Sequence, residues 1–174
     1  HSRTPAGGLV HMGPLARYAN NRERLTPRAR RVAEDAGLGE RVANPFRSLL
    51  VRGVEVTFAL EEALRLIGDY REPPRPAVPV EPRAGTGHGA TEAPRGTLYH
   101  CYTIDGDGLI EHARIVPPTA VNQGMIESDL RAWVAARLDL DDDALRDGCE
   151  QVIRNYDPCI SCATHFLDLE VERH

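Results

Sequence analysis

The chain has 174 residues, 41% of them hydrophobic, and a formal net charge of −5, which suits one ordinary globular domain with a real core and excludes disordered and fibrous classes. All 21 basic residues are arginine and no basic cluster is longer than Arg28-Ala29-Arg30-Arg31, so the electrostatic footprint of a nucleic-acid binder is absent. Four cysteines, two of them in a CxxC, do not make a disulfide scaffold and point to a reducing, cytoplasmic setting, while the lack of an apolar run of about 18 residues or of a charged-then-apolar leader predicts neither a membrane span nor a signal peptide.

In chain order, the sequence opens on His1 rather than Met, and it is expected to be a piece of something longer. Residues from 1 to about 70 read as helical. Thr26-Pro27 is a cap-then-proline start and Gly37 a stop, bracketing one short helix. Asn44-Pro45 repeats the start before a stronger helix in which Leu50, Val54, Phe58, Ala63, Leu64 and Ile67 recur near one face until Gly68, and that helix is expected to bury its stripe. Residues 71–97 hold six prolines and four glycines with little periodicity and read as a long functional or linking loop.

From 98 to 116 the chain reads as a β-hairpin. Leu98 to Ile104 alternates, Asp105-Gly106-Asp107-Gly108 supplies turn chemistry, and Leu109 to Val116 alternates again. The Asp-x-Asp-Gly piece echoes a calcium loop but lacks the Glu that closes one, so it is taken as a turn. Past Pro117-Pro118, helices are expected from about Ile126 to Leu138 and from about Asp142 to Tyr156. The second opens in an Asp cluster that complements a helix N-terminus and places Leu145, Cys149, Val152, Ile153 and Tyr156 on one side. Pro158 disfavours helix at Asp157 and ends it. The expected fold class is α+β, mainly α-helical, with a small hairpin.

Residues 157–174 carry the densest chemistry. Asp157-Pro158-Cys159-Ile160-Ser161-Cys162-Ala163-Thr164-His165 sets two thiols and an imidazole behind a rigid step, a donor set suited to zinc, copper(I), iron–sulfur or nickel. A thioredoxin-like dithiol is disfavoured because the motif follows a helix instead of opening one. A zinc deaminase would also need a His-x-Glu, and none exists. Structural zinc stays open, with Cys159, Cys162 and His165 completed by Cys101 or His100. Cys149 reads as a core residue. Cys101 alternates with Tyr99 and Thr103, opposite Leu98, Tyr102 and Ile104, and reads as structural too. His11, His88 and His112 stand alone, with surface or loop roles. Pro94-Arg95-Gly96 either shapes a turn or holds an arginine fork ready for an anion.

Three segments together resemble the C-terminal part of the large, catalytic subunit of nickel–iron hydrogenases, of the cytoplasmic NAD(P)-linked type. They are 157–165, Glu92-Ala93-Pro94-Arg95-Gly96-Thr97-Leu98-Tyr99-His100, and Ile115-Val116-Pro117-Pro118-Thr119-Ala120-Val121-Asn122, in the family's order and separation. The likeness extends to the Asn44-Pro45-Phe46 helix. It implies that Cys159 is a terminal nickel thiolate and Cys162 a thiolate bridging nickel and iron. In that family the iron carries carbon monoxide and cyanide, and their pocket would map here to Pro94, Arg95 and Thr119. By the same resemblance Arg95 would bond cyanide and overhang the open position between the metals, Asp157 would pair with Arg95, and His165 would bind a nearby magnesium or similar divalent cation, with the carbonyl of Ile115 a further candidate for that site. Heterolytic splitting of H2 needs a Lewis-acidic metal pair for the hydride and a basic neighbour for the proton, and thiolates supply soft ligation for the first and basicity for the second.

The resemblance also implies partners: a small subunit with iron–sulfur clusters, the N-terminal part of the large subunit, and flavoprotein (diaphorase) subunits leading to NAD(P). The family's other CxxC and its nearby glutamate are missing, and Cys101 and Cys149 stand in the wrong contexts to replace them. The chain by itself is therefore expected to hold half of a four-thiolate site and to be inactive alone, as a fragment, a split subunit or a degenerate paralogue. The different-class alternative is a non-catalytic zinc-stabilised or assembly module. Phe166 to His174 would be either a tail trimmed by a maturation protease or a strand that stays.

Overall fold

A computed structural model describes residues 2–158. Cys159, Cys162, His165 and the tail beyond them lie outside the described residues. The local start signals form as the side-chain chemistry dictates. Thr26 Oγ1 accepts from the Ala29 amide at 3.3 Å and Pro27 takes the first helical position, opening a helix over Pro27–Asp35 (α2), after α1 over Pro14–Asn21. Asn44 Oδ1 accepts from the Phe46 amide at 2.9 Å and starts a 3-10 turn, Pro45–Arg47, that runs into α3, Ser48–Asp69. Arg47 donates to the carbonyls of Ala36 and Gly37, which a helix end would otherwise leave without partners.

These helices close on a core of Leu15, Tyr18, Ala29, Ala33, Leu38, Val42, Val51 and Val54. The expectation that α3 buries its whole stripe is wrong. Val54 is fully buried and Phe58 packs against the core, but Leu50 is 44% exposed, Leu64 71% and Ile67 72%, and Ala63 is exposed as well. The reason is length. At 22 residues α3 is about 33 Å long, whereas α2, its principal neighbour, has nine residues and covers only the first half.

Within the segment read as loop, a strand occupies Gly85–Ala93 (β1). It pairs antiparallel with Gly96–Ile104 (β2), from Gly85 opposite Ile104 to Ala93 opposite Gly96, and Ile110–Val116 (β3) flanks β2 on its other side. The predicted hairpin is thus two strands of a three-stranded sheet. Gly85, Gly87 and Gly89 carry no side-chain periodicity, so β1 is extended because β2 supplies its ladder, not because of a local propensity. Asp105 Oδ1 accepts from the Asp107 and Leu109 amides, each at 2.9 Å, which makes this an Asx turn.

α4 spans Pro118–Ala135 and α5 Asp142–Arg154. α4 begins eight residues before the predicted start, because Pro118 already sits at the first helical position where its missing amide costs nothing. The Asp141 carboxylate caps α5 from the Ala144 amide at 2.8 Å. Leu145, Cys149, Val152 and Tyr156 are buried as the periodicity predicts, and Ile153, at the edge of that side, is half-buried. Trp133 of α4 packs against Gly148, where a methyl group would fall 1.9 Å from the ring. No helix of the described residues is long and apolar enough to cross a membrane.

Candidate active site

The β1–β2 ladder leaves only Pro94 and Arg95 between the paired Ala93 and Gly96, so Arg95 is presented at the tip of a two-residue hairpin. Such turns favour the primed types, which need positive φ at the first central residue. Pro94 cannot supply it, and Asp157 is the sole non-glycine residue with positive φ among the described residues. The strand that follows accommodates this through Gly96 at φ +134°.

Outside contacts hold the tip. The Arg17 guanidinium donates to the carbonyl oxygens of Ala93 at 2.9 Å and Pro94 at 2.6 Å, to Glu92 at 2.6 Å, and to both carboxylate oxygens of Glu55 in α3 at 2.7 and 3.0 Å. Burial alone works against the Arg17 charge, but the bonds to Glu55 and Glu92 outweigh it and raise its pKa above the ordinary value. Glu92 also accepts from Thr97 Oγ1 across the hairpin, at 3.1 Å. Beneath the turn, a methyl group at Gly13 would come within 2.6 Å of the Arg95 carbonyl oxygen, and one at Gly96 within 2.8 Å of Met12. Met12 is in turn fixed by buried Asn122, which accepts from its amide at 2.8 Å and donates to its carbonyl at 3.0 Å. The role of Arg17 was not legible in the sequence, because its partners lie 38 and 75–77 positions away.

Arg95 meets Asp157. Its Nε lies 3.2 Å from Asp157 Oδ2 and its Nη2 3.4 Å from Oδ1, and Nε also donates to the Asp157 carbonyl oxygen. Asp157 has φ +47°, a left-handed conformation that aspartate visits more readily than most residues but that is unusual before a proline, which normally forces extension. The turn that bears it is pinned to α3, since Ser48 Oγ and Arg52 Nη2 donate to the Asn155 carbonyl at 2.8 and 3.0 Å. Strain over-determined in this way is typical of functional sites. It falls two residues before Cys159.

Pro94, Arg95 and Asp157 are therefore brought together. Arg17, Pro94 and Asp157 also border a groove of about 690 Å³ whose wall includes Leu25, Val54 and Phe58. Thr119 occupies the first turn of α4 and is half-buried; Ile115 pairs with His100 in the sheet and is 52% exposed. Of the residues weighed as a fourth zinc ligand, His100 Nδ1 lies 3.2 Å from the Tyr102 hydroxyl, and Cys101 lines a sheet concavity beside His88 and Arg114. No three His, Cys, Asp or Glu side chains converge on a metal-binding point among the described residues. The thiols and imidazole that the sequence offers as soft-metal donors, Cys159, Cys162 and His165, lie outside the described residues.

Two single residues resolve differently. Cys149 is a core residue, as read, and burial raises its thiol pKa. His11, read as a surface or loop residue, lies in the loop before α1 and is half-buried there, its ring 5.3 Å from Tyr156. Burial lowers its pKa, against the opposing pull of Asp129, which accepts the Tyr156 hydroxyl at 2.5 Å. This three-residue cluster assembles only when α4 and α5 pack.

Comparison with known proteins follows the same lines. The family model for nickel-dependent hydrogenase matches residues 6–165. Sulfhydrogenase 1 subunit alpha of Pyrococcus furiosus is 32% identical over 160 residues, covering 91% of this chain and 37% of that protein. The NAD-reducing hydrogenase HoxS subunit beta of Cupriavidus necator is 31% identical over 170 residues, covering 92% and 35%. Among solved structures, an NAD+-reducing NiFe hydrogenase in the H2-reduced state superposes with a TM-score of 0.68 and 26% identity over 92% of this chain and 37% of that one. The chain spans just over a third of the length of these relatives. With an α+β architecture, five α-helices and one small sheet among the described residues, the chain belongs to the nickel-dependent hydrogenase large-subunit family.

Proposed function

We propose that the chain forms the part of a nickel–iron hydrogenase catalytic subunit that holds half of the metal centre, for reversible heterolytic cleavage of H2 in the cytoplasm. The observation that carries this reading is the Arg95–Asp157 ion pair set on a strained step beside Cys159, within a chain of this family. Cys159 and Cys162 would hold nickel and bridge it to iron, and the other two thiolates would come from a segment outside this sequence. His165 and the Ile115 carbonyl would hold a magnesium-like cation. When bound, the nickel–iron centre, with carbon monoxide and cyanide on iron, supplies the Lewis acidity on which H2 splitting depends.

The chain's own residues do the rest. Pro94 and Thr119 wall the pocket for the diatomic ligands. Arg95 offers a fixed fork of donors to cyanide and to negative charge that develops beneath it, in a site where such donors need no reorganisation. Asp157 holds that fork in one orientation and balances its charge. Electrons would leave through iron–sulfur clusters on a small subunit and pass by a flavoprotein to NAD(P). The relatives named for NAD reduction support this direction.

The test is metal analysis and infrared spectroscopy of the purified complex. Nickel and iron together, with carbon monoxide and cyanide bands, are expected; zinc alone sinks the reading and favours a structural module. Cys159→Ser is expected to abolish H2 uptake, and Arg95→Lys to lower it by about 100-fold, the usual scale for losing one such donor.

A further inference from the structure

The hydrogen bonds of Arg17 are distributed as a clamp. Its five N–H donors are all used: Nε and one Nη2 hydrogen grip Glu55 of α3 at 2.7 and 3.0 Å, the second Nη2 hydrogen takes the Pro94 carbonyl at 2.6 Å, and Nη1 takes Glu92 at 2.6 Å and the Ala93 carbonyl at 2.9 Å. One edge of the guanidinium is thus fixed to a helix, and the opposite edge to the two carbonyls that lead into Arg95. No other helix-borne side chain is hydrogen-bonded to that tip among the described residues. The tip also cannot adopt the primed turn that two-residue hairpins favour, as Pro94 cannot take a positive φ.

We propose that Arg17, itself steered by Glu55, is the positioning residue of the active site, which sets the height and direction of the Arg95 guanidinium through the carbonyls of Ala93 and Pro94; this rests on the reading of Arg95 given above. Arg17 touches neither substrate nor metal in this role. Lysine cannot replace it, because an ammonium is a point donor and cannot span Glu55 and two carbonyls in one plane.

The test compares Arg17→Lys with Arg95→Lys in the assembled complex. Arg17→Lys is expected to leave the nickel and iron contents at their wild-type values and to lower the thermal midpoint by only about a few degrees, while H2 oxidation falls by about 10- to 100-fold, the cost of a displacement near 1 Å. Its cyanide stretching bands should shift in the direction that Arg95→Lys shifts them. In the metal-free protein, amide exchange at Gly96 and Thr97 should speed up by about tenfold or more, with α2 amides unchanged. Wild-type cyanide bands and wild-type exchange in Arg17→Lys overturn the inference, whatever the activity. If Arg17→Lys fails to accumulate, Glu55→Gln, which keeps the carbonyl contacts and removes only the anchoring charge, should give the same band shift in smaller measure, and its absence counts equally against. Should Arg95→Lys itself leave activity and bands untouched, the functional reading of Arg95 falls, while the exchange measurement still decides whether Arg17 holds the turn.

Discussion

Arg95 and Asp157, 62 positions apart in sequence, form an ion pair with Nε 3.2 Å from Oδ2, and the backbone of Asp157 is left-handed to make it. Both side chains are about one-third exposed, so the pair itself contributes no more than about 1 kcal/mol. Asn tolerates a left-handed backbone and keeps the shape, so Asp157→Asn is expected to cost under about 1 kcal/mol in stability yet to lower H2 turnover, because Arg95 loses its orienting charge. Asp157→Ala adds the penalty for Ala in that conformation and should cost about 1–2 kcal/mol. Urea unfolding and activity on the two variants separate the backbone effect from the charge effect. Equal stability in both would show that the left-handed residue carries no strain.

Gly13 sits at φ +107° with the Arg95 carbonyl where its side chain would go. Gly13→Ala meets both a forbidden backbone and a backbone contact that cannot yield. The expected loss is about 2–4 kcal/mol, with a larger fall in H2 oxidation than a variant of equal stability elsewhere in the helical core. Denaturant midpoints matched against turnover check this.

Cys149 is 1% exposed and its thiol is held protonated by burial. Cys149→Ala should therefore retain the wild-type nickel content and cost about 1–2 kcal/mol through lost packing, whereas Cys159→Ser should lose nickel. Metal analysis of the two purified variants decides it. Loss of nickel from Cys149→Ala would reassign Cys149 as a ligand.

The His11–Tyr156–Asp129 cluster predicts a stability profile with two shoulders. Burial lowers the His11 pKa from its ordinary 6.5, so below pH 6.5 the unfolded chain takes up a proton that the folded one refuses, and stability falls with pH. Burial, then the bond to Asp129, raises the Tyr156 pKa above its ordinary 10.0. Above pH 10 the unfolded chain releases a proton that the folded one keeps, and stability falls again. The plateau lies between. Unfolding free energy measured across pH should lose its acidic shoulder in His11→Gln and its alkaline shoulder in Tyr156→Phe.

How much was legible in sequence varies with the range of the cause. Caps and stops act within four residues, and so Thr26-Pro27, Asn44-Pro45 and the Asp141 cluster marked real helix starts, and the period of 3.6 placed Leu145, Cys149, Val152 and Tyr156 in the core. The motif around Cys159 and the turn at Pro94-Arg95 were visible as residue types and order, and the family resemblance rested on them. β1 was not legible, because a glycine-rich strand has no side-chain pattern of its own and is extended only by pairing with β2. Nor was the exposure of Leu64 and Ile67 in α3, since periodicity says which face is apolar but not whether a neighbour reaches it.

By itself, then, the sequence determined the family, the helix boundaries that depend on local hydrogen bonding, and the donor types available after Pro158. Only the tertiary structure decided that Arg17 reaches 76 positions along the chain to the Ala93 carbonyl, that Gly13 makes room for Arg95, and that Asp157 twists to face it. Those relationships are set by where packed elements bring distant atoms within hydrogen-bond distance, and no local pattern of residues encodes that.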